Sequence, residues 1–162
     1  MNLVIISGLS GSGKSIALHT LEDMGYYCID NLPVGLLDAL SQEFSGNNLG
    51  DIEKLAAGID ARNQPDQIGH FPTFLASCHE RGIRCRTLFL QADTRTLIQR
   101  FSETRRKHPL SGSDTTLADA IEMERKLLTP IAGEADLFID TSRTNIHQLR
   151  DMVRECIDSS QT

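Results

Sequence analysis

Apolar positions along this chain follow two alternating rhythms. Short runs rich in branched and aromatic residues at Leu3–Ser7, Tyr26–Ile29, Leu55–Ile59, Arg86–Gln91 and Asp136–Asp140 read as buried strands. Between them, apolar residues recur at helical spacing over Lys14–Met24, Gly35–Phe44, Gln67–Arg81, Thr94–Lys107, Leu117–Ala132 and Asn145–Ile157. The last of these carries Ile146, Leu149, Val153 and Cys156 on one face, an amphipathic stripe. Pro130 lies inside the fifth helical pattern and should kink or end it. Gly46-Asn47-Asn48-Leu49-Gly50 predicts a surface turn, and Ser159-Ser160-Gln161-Thr162 a polar tail that frays. Regular strand–helix alternation predicts a parallel sheet covered on both faces, a three-layer α/β domain spanning 1–158.

Composition narrows this only a little. A length of 162 residues fits one domain with a real core. A formal charge of −6 and a pI near 5.3 argue against a whole-surface nucleic-acid footprint, so any RNA contact would be local. No apolar run approaches the ~20 residues that span a bilayer. Met1-Asn2-Leu3-Val4 enters the first strand without a basic segment, so the expectation is a cytoplasmic protein with no signal peptide and no membrane partner. Cys28, Cys78, Cys85 and Cys156 have no C-x-x-C spacing and lie in apolar periodic segments, as reduced core thiols would.

The chemistry is concentrated at Gly8-Leu9-Ser10-Gly11-Ser12-Gly13-Lys14-Ser15, which fits G-x-x-x-x-G-K-[ST] without mismatch. It stands between the first strand and the first helix, as its mechanism requires. Glycines let the loop take positive φ and turn its N–H groups inward, and the helix N-terminus adds positive potential. Lys14 would reach the β- and γ-phosphates of ATP or GTP, and the Ser15 hydroxyl would complete a Mg²⁺ shell. The fold expected is therefore the P-loop NTPase fold of the nucleotide-kinase type, with five parallel strands in the order 2-3-1-4-5.

Two aspartates compete to be the acidic partner of this loop. Asp30 ends the second strand and Asp60 the third, and ligands of such sheets bind outside the carboxyl ends of the strands. In the 2-3-1-4-5 order the third strand lies beside the first. That puts Asp60 nearest the Mg²⁺ and leaves Asp30 facing the substrate side. Either could instead cap the following turn. A basic cluster, Arg100, Arg105, Arg106, Lys107 and His108, precedes Pro109-Leu110 and the polar loop Ser111-Gly112-Ser113-Asp114. It fits a lid whose Arg105 and Arg106 close over the γ-phosphate as catalytic cations. It equally fits a solvated helix end favoured by the dipole.

Taken together, Ser7 to Ser15, then Leu21-Glu22-Asp23-Met24-Gly25-Tyr26-Tyr27-Cys28-Ile29-Asp30-Asn31-Leu32-Pro33, then Thr104-Arg105-Arg106-Lys107-His108-Pro109-Leu110 resemble the RapZ family of bacterial nucleotide-binding RNase adapter proteins. Asp140-Thr141-Ser142 is similar to that family's close of the fifth strand, and the match runs from about Leu3 to Ile157. The resemblance implies binding and slow hydrolysis of ATP and GTP. It also implies presentation of a small regulatory RNA to an endoribonuclease, controlling amino-sugar synthesis. Gly8 to Ser15 would then be the ATP-binding loop, and Asp60-Ala61-Arg62-Asn63 matches the stretch assigned to GTP. Family members are nearly twice as long and carry a C-terminal sensing domain, so the expectation is an excised N-terminal half or a shortened relative, with homo-oligomerisation open. Two alternatives stand beside the weak NTPase: a small-molecule kinase with Asp30 as general base, and a nucleotide-gated interaction module without turnover.

Overall fold

Five strands form one parallel sheet in the order β2-β3-β1-β4-β5. The computed structural model describes residues 2–45, 50, 52–60, 65–104, 108–110 and 115–159. The strands are β1 (Asn2–Gly8), β2 (Tyr27–Ile29), β3 (Lys54–Gly58), β4 (Arg84–Gln91) and β5 (Leu137–Asp140). β1 is central, pairing with β3 from Asn2↔Lys54 to Ile6↔Gly58 and with β4 from Asn2↔Arg84 to Gly8↔Leu90. Strands buried on both faces need apolar residues on both faces, which is why Leu3, Val4, Ile5 and Ile6 run without alternation.

Helices α1 (Lys14–Asp23) and α8 (Ile146–Ser159) cover one face of the sheet. There Ala17, Leu18, Leu21, Leu149, Val153 and Ile157 close over Val4, Ile6, Leu88 and Ile139. The other face is covered by α2 (Leu37–Ser45), α3 (Pro65–Gly69), α4 (Phe71–Glu80), α5 (Thr94–Thr104), α6 (Leu117–Leu127) and α7 (Thr129–Ala132). A 3₁₀ turn, Val34–Leu36, leads into α2.

The helix expected over Gln67–Arg81 is two helices. Ile68, Phe71, Phe74 and Cys78 keep helical spacing across the break and all are buried, so periodicity runs on. The chain nevertheless turns at His70, and Pro72, which has no amide hydrogen to donate, stands at the start of α4. Pro130 ends the fifth pattern as expected: α6 closes at Leu128 and α7 begins with Pro130 in its first turn. At the last helix Asn145 Oδ1 accepts from the Gln148 amide at 2.8 Å, while Gln148 Oε1 accepts from the Asn145 amide at 2.9 Å. This reciprocal cap fixes the start of α8. Ile146 departs from its expected place in the buried stripe and is 52 % exposed. α8 runs through Ser159, and the rest of the polar tail lies outside the described residues, as do 46–49 of the predicted turn.

Candidate nucleotide site

The loop between β1 and α1 is shaped by three glycines. Gly8, Gly11 and Gly13 have φ of 151°, 86° and 111°. A Cβ on Gly8 would sit 2.2 Å from the Leu90 carbonyl oxygen, so the loop leaves the sheet where β1 and β4 are too close for any side chain. Lys14 opens α1 and folds back, its Nζ donating to the Gly8 carbonyl at 3.1 Å. Ser15 follows, exposed, in the first turn.

Each residue of the motif has a distinct position. Leu9 sinks into the core and its amide donates to Leu90 O at 3.2 Å, which anchors the loop. Ser10 donates its amide to Glu124 Oε1 at 2.8 Å and its hydroxyl to Glu124 Oε2 at 2.6 Å. Gly11 packs on Phe101 and Leu97 of α5, while Gly13 lies against Leu149 of α8. Ser12 is fully buried; its amide donates to Leu9 O at 3.0 Å, and its Oγ has no partner among the described residues.

Arg100 and Thr141 hold the loop's carbonyls. Arg100 Nη1 donates to Gly11 O at 2.9 Å and Thr141 Oγ1 at 3.0 Å, Nη2 donates to Thr141 O, and Thr141 Oγ1 donates to Ser12 O at 2.7 Å. Peptide N–H and C=O groups point in opposite directions, so holding the Ser12 carbonyl toward Thr141 turns the Gly13 N–H the other way. Beside this brace opens a cavity of about 490 Å³, lined by Gly13, Ile16, Thr144, Asn145, Ile146 and His147 among others. Ile146 escapes the core because it forms this wall.

Both aspartates stand at the carboxyl end of the sheet. Register places Asp60, two residues beyond Gly58, alongside Gly8 at the root of the loop, and it is largely buried. Asp30 is exposed, one strand further out. Its Oδ1 accepts from the Asn31 amide at 2.8 Å and lies 2.7 Å from where a Gly58 Cβ would be. Asn31 has φ 55°, the left-handed conformation that Asn tolerates, and Leu32 then donates to Gly58 O at 2.9 Å. The adjacent strands thus separate the two carboxylates, as the 2-3-1-4-5 order requires. Ala61, Arg62 and Asn63 lie outside the described residues.

The basic cluster does not act as one exposed patch. Arg100 is committed to the loop and Thr141, and His108 is buried, its Nε2 3.1 Å from Glu124 Oε1. Arg105, Arg106, Lys107 and the 111–114 loop lie outside the described residues. The residue the sequence reading missed is Glu124. Its signal was there: α6 carries Ala120 and Ile121 on its inner face, and position 124 continues that face with a charge. Among the described residues no group of three or more His, Cys, Asp or Glu could hold a metal unaided.

A parallel sheet in this order, with a glycine loop and Lys-Ser opening α1, defines a P-loop domain of the kinase type. Solved structures agree in fold. A sugar kinase from Janibacter sp. superposes with a TM-score of 0.63 at 16 % identity, over 98 % of this chain and 95 % of its own. Shikimate kinase from Bacteroides thetaiotaomicron gives 0.61 at 13 % identity, over 99 % and 98 %. The chain belongs to the RapZ-like N-terminal domain family, which it matches over residues 1–161. It is 56 % identical over 155 residues to a nucleotide-binding protein of Methylococcus capsulatus, covering 96 % of this chain and 52 % of that relative. Identity to a nucleotide-binding protein of Alkalilimnicola ehrlichii is 55 % over 158 residues, covering 98 % and 55 %. The chain therefore spans about half the length of the curated relatives it matches. No described helix is long and apolar enough to cross a membrane.

Proposed function

We propose that this domain binds a Mg²⁺-nucleoside triphosphate and hydrolyses it slowly, as the nucleotide half of an RNase adapter. The observation that carries this is the loop itself: three glycines at positive φ, its apex and carbonyls held from behind, and Lys14 and Ser15 at a helix N-terminus. Loop amides and Lys14 would hold the β/γ-phosphates. The base would enter the cavity beside Thr144, Asn145, Ile146 and His147, whose mixed apolar and polar wall suits a stacked heterocycle. Nothing in that wall selects adenine over guanine.

Ser15 and, through water, Asp60 fit Mg²⁺, which favours oxygen ligands and takes others from phosphate. When bound, the ion would neutralise charge developing between the β- and γ-phosphates. Lys14 would add its own positive charge there, and Arg105 and Arg106 would add cations if the segment closes. Catalysis would rest on positioning and electrostatics, and the slow turnover is what the family resemblance implies. The family resemblance extends the proposal to ATP and GTP alike and to delivery of a small regulatory RNA to an endoribonuclease by the longer protein, and the spacing of the cysteines fits a cytoplasmic setting.

A small-molecule kinase is the alternative, favoured by one observation: the exposed Asp30 carboxylate at the carboxyl end of β2. Phosphate release from ATP and GTP, followed with and without small hydroxyl acceptors, separates the cases. Slow acceptor-independent release supports the adapter NTPase, and acceptor-dependent transfer supports the kinase. Triphosphate binding with no release supports a nucleotide-gated module.

A further inference from the structure

Glu124 is fully buried on the inner face of α6, a place where an apolar side chain would pack without penalty. Three donors converge on it. Oε1 accepts from the Ser10 amide at 2.8 Å and from His108 Nε2 at 3.1 Å, and Oε2 accepts from Ser10 Oγ at 2.6 Å. His108 Nδ1 in turn accepts from the Leu110 amide at 3.0 Å, which places the ring proton on Nε2, directed at Glu124. Buried ionic groups are weak general stabilisers, and their best-attested use is to fix one geometry. Here the geometry fixed is that of the phosphate loop. Glu124 holds its apex while Arg100 and Thr141 hold the Gly11 and Ser12 carbonyls.

We propose that Glu124 is a positioning residue for the phosphate cradle, and that through His108 it ties the loop's apex to the segment following α5. This rests on the nucleotide reading above. A carboxylate beside an anion site has two opposed effects. Its charge repels phosphate, and its hydrogen bonds hold the cradle open for it. The proposal requires the second to dominate.

Two variants separate these effects. Glu124→Gln removes the charge but keeps an oxygen for the Ser10 amide and His108, with an NH₂ group able to donate to Ser10 Oγ. Glu124→Leu removes charge and acceptors at similar volume. With Mg²⁺-ATP as the probe in calorimetric titration, the Gln variant should stay within about threefold of the parent, and the Leu variant should bind about tenfold or more weakly. Parent-like or tighter binding by folded Glu124→Leu overturns the proposal. In that case Lys14→Ala, if it has lost binding, shows that the phosphate-loop reading itself survives. A parent chain that binds no nucleotide overturns both.

A second measurement does not depend on the Leu variant folding. The Ser10 amide proton, bonded to a carboxylate, should resonate downfield in ¹⁵N-resolved spectra and shift upfield in Glu124→Gln. In the parent it should keep its downfield position when Mg²⁺-ATP saturates the site. Loss of that position on saturation would mean phosphate displaces Glu124, and the proposal fails.

Discussion

Replacing Gly8 with alanine tests the geometry from which the site is built. Gly8 is the last residue of β1, paired with Leu90 of β4, and its φ of 151° lies where side chains rarely go. An added methyl would meet the Leu90 carbonyl oxygen at 2.2 Å and the carbonyl carbon at 3.0 Å. The oxygen is about 1 Å and the carbon about 0.5–1 Å inside van der Waals contact, against backbone that cannot rotate away. The strands must part, weakening the bond from the Leu9 amide to Leu90 O and moving the Gly8 carbonyl that receives Lys14. Overpacking of this kind costs about 1–3 kcal/mol, and the backbone conformation adds about 1–2, for a total of about 2–5 kcal/mol. For a chain of this size that lowers Tm by about 4–20 °C. Gly25 supplies the control. Its φ is 96°, yet a Cβ there meets nothing within 4 Å, so Gly25→Ala should cost about 1–2 kcal/mol from backbone strain alone. Thermal and urea unfolding of both variants measure the difference. If Gly8→Ala is no less stable than Gly25→Ala, the close approach of β1 and β4 at the loop's root is wrong.

The other predictions concern single groups. Asp60→Asn should weaken triphosphate binding mainly when Mg²⁺ is present, whereas Asp30→Asn should leave Mg²⁺-nucleotide affinity nearly unchanged; titration with and without the ion checks both, and the reverse pattern would exchange their roles. Arg86 is buried, donating from Nη1 to Ile157 O and from Nη2 to the Tyr26 hydroxyl, each at 3.0 Å. Arg86→Met should therefore cost about 2–4 kcal/mol in urea unfolding and speed hydrogen exchange in the last turn of α8, while unchanged stability would show that the clamp contributes nothing. Changing Arg105 and Arg106 together to alanine should lower triphosphate affinity or turnover with little effect on the diphosphate; equal effects on the two nucleotides would reject a lid that meets the γ-phosphate.

Most of the scaffold was legible in sequence because its signals are local. A strand buried on both faces needs an unbroken apolar run, and Leu3 to Ile6 supplies one. The G-x-x-x-x-G-K-S spacing placed the loop between strand and helix, and the strand order expected of that loop put Asp60 beside Gly8 and Asp30 one strand away. What escaped depends on distant partners. His108 reads as one more basic residue near a helix end, but it turns inward because Glu124, 16 residues later, accepts from its ring. Glu124 itself answers to Ser10, 114 residues earlier, a pairing no periodicity can show. Arg100 looked like part of a cationic patch because charge runs are usually solvated, yet the Gly11 and Thr141 oxygens fold it back. The break at His70 was hidden for the opposite reason: Ile68, Phe71, Phe74 and Cys78 keep their spacing through it, and Gly69 and Pro72 give local hints.

Lys14 carries the central claim. It projects from the loop at the start of α1, with its Nζ 3.1 Å from the Gly8 carbonyl, and it fills no apolar core. Lys14→Ala should thus leave the unfolding curve nearly unchanged while removing a charge-assisted phosphate contact. Calorimetric titration of the parent and of Lys14→Ala with ATP, GTP and ADP in Mg²⁺ is the direct measurement. The parent should bind triphosphate, and the folded variant should show no measurable triphosphate binding; equal affinity in the two proteins would contradict the phosphate-loop assignment.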